Sequence, residues 1–116
     1  MRVDAHQKRA QQLEHALSML ADPTSDADVV PAVIEMYWGA AFHWIAFGCQ
    51  NKHRKHKENH IQLGRYLRDL GESRIAATWD RLELKRQGGM YAYMTAPADA
   101  AETRADWEEI RLWALS

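Results

Sequence analysis

Apolar residues return along this chain at helical intervals. Val3, Ala10, Leu13, Leu17 and Leu20 follow one another by three, four or seven positions, with Lys8, Arg9, Gln12 and Glu14 between them. That spacing predicts an amphipathic first helix. Asp22-Pro23 ends it, and Thr24 to Asp28 forms a polar connector offering Ser25, Asp26 and Asp28 as caps. Pro31 suits a first helical turn, where a missing N–H costs nothing. The second helix is expected to run to about Gly48. Ile34, Tyr37, Trp38, Ala41, Ile45 and Gly48 make one stripe, and Phe42, Trp44 and Phe47 carry the apolar surface round the cylinder. A helix apolar nearly all round needs cover on every side, and a second copy of the chain is the expected cover.

A third helix is expected from Lys57–Glu58, carrying Ile61, Leu63, Leu67 and Leu70 and stopped by Gly71. Ser73 can cap the next helix, with Ile75, Trp79 and Leu82 inward, Arg86 one turn beyond, and Gly88-Gly89 as its end. Thr95 or Ala96 with Pro97 opens the last helix, lined by Ala100, Thr103, Trp107, Ile110 and Ala114. No segment alternates as a strand, and no internal repeat is present. The pattern predicts an all-α fold, an antiparallel four-helix bundle whose third long segment (57–87) breaks near Gly71. At 116 residues, one domain spanning 1–116 is expected.

Composition narrows the function classes. A single cysteine, Cys49, excludes an internal disulfide framework, and polar residues follow Met1-Arg2-Val3-Asp4 where a signal peptide would be apolar. A cytoplasmic protein is the expectation. The net charge of −1 supplies no global field, so any nucleic-acid binding must come from a local patch. Five tryptophans and four tyrosines call for burial, an interface, or both. Val29 to Cys49 with its basic flank imitates a membrane span. Pro31, Glu35 and His43 interrupt it below the roughly 18 apolar residues a span needs, so a buried helix and no membrane are expected. His43 then reads as a hydrogen-bonded interior histidine.

Cys49, His53, His56 and His60 lie within twelve residues and raise the question of zinc. Their gaps of three, two and three residues match no structural zinc spacing. A pair on His56 and His60 would need the third helix to begin early. The stretch is therefore read as a solvated loop, with no metal and no cofactor expected. The same loop, "NKHRKHK", carries four of the fifteen Lys and Arg residues. Lys52, Arg54, Lys55, His56 and His60 are its candidate RNA contacts, with the acidic Asp99-to-Glu109 region as the balancing charge.

In "LKRQGGMYAYM" (84–94) a basic helix end meets two glycines and then Tyr91 and Tyr93. Arg86 has two physical readings. Its planar fork fits two phosphate oxygens; equally, a cation in a last helical turn complements the dipole and glycine ends the helix. Tyr91 and Tyr93 would either act chemically or pack the connector onto the core.

Three segments, in order, resemble HEPN-domain proteins. "MYWGAAFHWIAF" is similar to their aromatic, alanine-rich second helix; "HKENH" resembles the His-Lys-x-x-His that opens their next helix; "WDRLELKRQGGMYAYM" before an alanine- and acid-rich last helix resembles their signature segment. The likeness covers about residues 30–115. It implies a dimerising helical bundle whose two arginine motifs meet at a cleft. Many members cut RNA without a metal through R-x-x-x-x-H, and many are toxins beside a small nucleotidyltransferase partner that attaches AMP to a tyrosine two places after the histidine. The matching positions are Arg86, Gln87 and Tyr91 for catalysis and Tyr93 for modification. Gln87 stands for the usual asparagine, and Tyr91 stands for the histidine, as in one HEPN subgroup. Unperturbed tyrosine is only about one part in a thousand deprotonated at pH 7, so a nearby histidine such as His56 or His60 becomes a candidate for proton transfer. The resemblance implies a homodimeric toxin–antitoxin or defence-associated protein acting on RNA. The alternative is a non-catalytic dimeric protein-interaction module in which Arg86 is structural.

Overall fold

The computed structural model describes residues 2–20, 29–87 and 97–116. Those residues form five helices, α1 (Val3–Ser18), α2 (Val30–His53), α3 (Leu63–Asp69), α4 (Ser73–Gln87) and α5 (Pro97–Leu115), with no strand among them. The fold is all-helical. α2 lies at its centre, touching α1, α4 and α5, while α4 also packs on α3 and α5.

Three predicted boundaries move, the first at α1, which ends at Ser18 and leaves Leu20 outside the helix. α2 runs past Gly48 to His53 and closes on Arg54 in the left-handed region. Gly48 serves packing and does not end the helix: a Cβ there would meet the Trp113 ring at 2.5 Å and the Ala114 Cα at 3.1 Å, so its absence lets α5 approach. The third helix starts at Leu63, not at Lys57–Glu58. Residues 55–57 have no helical structure, and the Asn59 side chain accepts the Ile61 N–H at 3.0 Å, an Asx turn that competes with helix. The break expected at Gly71 is present. Gly71 has φ +84, its N–H bonds the Arg68 carbonyl at 3.0 Å, and the Glu72 N–H bonds the Leu67 carbonyl at 2.9 Å. Those two bonds form the Schellman closure that frees α4 to start in a new direction.

One apolar cluster gathers Trp44, Ile45, Leu67, Ile75, Trp79, Leu82 and Ile110; a second gathers Leu17, Val30, Val33, Ile34, Tyr37 and Ala100. Trp107 packs against both. Buried indoles need acceptors for their N–H groups, and glutamates provide them. Trp44 and Trp107 both donate to Glu14 Oε2, at 2.6 and 2.9 Å, Trp113 donates to Glu72 at 3.1 Å, and Trp38 donates to Glu83. Trp38, Phe42 and Phe47 of α2 pack against the chain's own core. All three rings remain partly exposed. No helix among the described residues is long and apolar enough to cross a membrane.

Candidate functional site

The last turn of α4 aims Arg86 back across α2. Its Nε donates to both oxygens of Glu35, at 3.0 and 3.1 Å, and its guanidinium carbon lies 4.0 Å from the centre of the Trp38 ring. Glu35 and Trp38 are three residues apart on α2, and Glu83 and Arg86 three apart on α4, so each pair shares a helix face. The pairs interlock: the acid of α2 takes the arginine of α4, and the acid of α4 takes the indole N–H of α2. His60, from the connector before α3, sets its ring edge-on to the same indole, 5.0 Å between centres. Arg86 is 21% exposed and Glu35 is 49% exposed, so the group opens to solvent on the acid's side. Among the described residues the arginine's only hydrogen bonds leave from Nε, and the donors on its two Nη nitrogens are available to an anion.

The remaining predicted residues fall in different places. Gln87 is the exposed last residue of α4, while Tyr91 and Tyr93 lie outside the described residues. The basic loop does not form one patch. Lys52 donates to the backbone oxygen and hydroxyl of Ser116 at 3.0 and 3.1 Å, Arg54 and Lys55 are exposed, His56 turns toward α1, and His60 turns toward Trp38. The acidic stretch of α5 balances α4 instead of that loop: Asp106 takes Lys85 at 2.9 Å and Arg81 at 3.3 Å, and Glu109 takes Arg74 at 3.0 Å. Nor does the structure unite the four residues weighed for zinc. Cys49 is buried in the core, where burial pushes its thiol up to about 12, and His53 bonds Glu72 at 3.0 Å.

Sequence reasoning missed a second cluster. His6 continues the α1 stripe between Val3 and Ala10 and is 1% exposed. Its Nδ1 faces His43 Nδ1 at 2.9 Å, and its ring meets His56 edge-on, centres 5.0 Å apart. His43 is hydrogen-bonded as expected but half-buried; burial first, then His6 and Arg9, lower its pKa to about 4. His56 holds Gln50 through Nδ1 at 2.8 Å and Glu58 through Nε2 at 2.7 Å. The signal available in the sequence was positional: a histidine on a helix's apolar stripe. For the Trp38 group the signal was the pair of three-residue spacings, Glu35–Trp38 and Glu83–Arg86.

A groove of about 260 Å³, lined by Glu14, Leu17, Tyr37, Arg104 and Trp107 among others, shares no residue with either cluster. Comparisons with family models, with curated proteins and with solved structures return no match to this chain.

Proposed function

We propose that the Trp38 face is the working surface of a HEPN-like RNA-cleaving protein of the toxin or defence type, an antiparallel four-helix bundle that pairs as a cytoplasmic homodimer around Arg86. The observation carrying this reading is the gathering of a guanidinium, a carboxylate and an imidazole on one indole. Metal-independent RNA cleavage needs those three kinds of group. A base removes the proton of the ribose 2′-hydroxyl, the oxygen attacks the adjacent phosphorus, an acid protonates the departing 5′-oxygen, and a fixed cation stabilises the charge on the phosphoryl oxygens. On this reading Arg86 binds the phosphate through its outer nitrogens, Glu35 accepts the proton, and His60 supplies the acid. Proton transfer then does not depend on Tyr91. Tyr93 is the position for modification by a nucleotidyltransferase partner.

The test is RNA cleavage with chelator present, wild type beside Arg86→Ala, Glu35→Gln and His60→Gln. Losses of about a hundredfold or more are expected for Arg86→Ala, the scale on which charge-stabilising donors act. Undiminished cleavage by that variant overturns the reading.

A second reading has its own observation. Arg86 is already paired with Glu35 and stacked on Trp38, which a purely structural clamp would also produce. The chain would then be a non-catalytic dimeric interaction module. Its contact surface would take in exposed apolar positions such as Leu84, Leu112 and Leu115. Leu112→Glu would abolish association on that reading and leave cleavage unaltered on the first.

A further inference from the structure

We propose that His6, His56 and Glu58 form a binding site for a divalent transition-metal ion of the zinc class, tying α1 to the connector that follows α2. One ligand atom from each lies within 4.8 Å of the other two. The set differs from the cysteine–histidine group that loop spacing suggests, because His6 comes from the far end of the chain and shares only His56 with that group.

The decisive atom is His6 Nε2. Among the described residues it is buried without a hydrogen-bond partner, and Glu58 Oε2 is 3.8 Å away, beyond hydrogen-bond reach. The contact between His6 Nδ1 and His43 Nδ1 uses one proton. If His6 supplies it, Nε2 is left as a bare lone pair aimed toward His56 and Glu58. If His43 supplies it, a buried N–H is left unsatisfied. Buried polar groups are rarely left in either condition, and a cation between the three side chains accounts for the first.

The surroundings are those of a metal ligand set. Ligating histidines are oriented by a hydrogen bond at their other nitrogen, and both rings have one: His6 Nδ1 to His43, and His56 Nδ1 to Gln50 Oε1. Burial lowers the pKa of His6 and of His43, favouring the neutral imidazole that binds metal. Two imidazoles and one carboxylate are zinc donors, and three protein ligands leave the fourth tetrahedral position to water. Bonds of about 2.0–2.1 Å place tetrahedral ligands roughly 3.4 Å apart. His6 Nε2 and Glu58 Oε2, at 3.8 Å, must draw closer, while His56 Nε2 and Glu58 Oε1, at 2.7 Å, must part; Glu58 is exposed on a non-helical segment.

The test uses the full chain stripped with chelator, then titrated with zinc against a chromophoric indicator and, separately, with cobalt(II). Expected are one equivalent of zinc, a rise in melting temperature on binding, and the visible absorption of four-coordinate cobalt(II). Glu58→Gln and His56→Gln should each weaken zinc by at least tenfold while remaining helical by circular dichroism. His15→Gln, on exposed α1 surface, and His60→Gln should bind as wild type does. Absence of saturable binding by wild type, equal affinity in Glu58→Gln and His56→Gln, or an equal loss in His60→Gln overturns the assignment. Cleavage in chelator reads the Trp38 face separately, so the two proposals fail independently.

Discussion

The Trp38 face and the histidine cluster both set polar groups among aromatic rings, yet only the first is electrically complete. Around Trp38 the cation has its carboxylate and the indole N–H has its acceptor. Around His6 a buried nitrogen has none among the described residues. The contrast separates two ways of using a charged group. A paired clamp holds α2 and α4 in register. The histidine cluster holds one nitrogen that the described residues do not engage, and that nitrogen is what the metal proposal rests on.

Breaking each side in turn tests that division. The largest effect belongs to Arg86→Ala: cleavage should fall by about a hundredfold or more, with zinc affinity unchanged, measured on the same preparation. Stability comes next. Glu83→Ala removes the acceptor of the half-buried Trp38 indole and should cost about 1–3 kcal/mol in urea unfolding. Glu58→Gln in metal-free protein should cost less, because Glu58 is exposed and surface ion pairs contribute little. Gly48→Ala, which pushes a methyl into the Trp113 ring, should also cost about 1–3 kcal/mol without altering either site.

Cys49 supplies a control between the two regions. Its thiol, held up to about 12 by burial and then by Glu72, should resist alkylation at pH 8–9 in the native protein and react once unfolded. The native state keeps the proton that the unfolded chain gives up near pH 9, so stability falls as pH rises from about 9 toward 12. The slope is about 1.4 kcal/mol per unit, and Cys49→Ala should flatten that part of the profile. Gly71→Ala should cost about 1 kcal/mol, because φ +84 is a conformation that side chains resist.

What local rules govern was legible before the structure. The stripes of α1 and α5 and the stop at Gly71 follow from period and backbone freedom, which neighbours in sequence decide. Gly48 was misread as an end because its reason is Trp113, contributed by another helix. The start of α3 was placed too early because Asn59 offers a turn that an apolar count does not register. For Arg86, dipole and phosphate were the two readings the sequence offered. The third partner, Glu35, lies in another helix and had been read only as an interruption of an apolar run. The histidine cluster was invisible for the same reason: loop spacing draws attention to His53 and His60, while His6 reaches His56 only through tertiary packing.

Glu14 carries a consequence for how the molecule breathes. One carboxylate oxygen on α1 accepts both the Trp44 and the Trp107 indole protons, so lifting α1 releases the two together. These side-chain protons belong to distant parts of the chain, yet they should exchange with deuterium as one event, at a common rate set by the opening of α1. Glu14→Gln, which replaces the shared anion with a neutral amide oxygen, should speed both signals together and leave that of Trp113, held by Glu72, at its own pace.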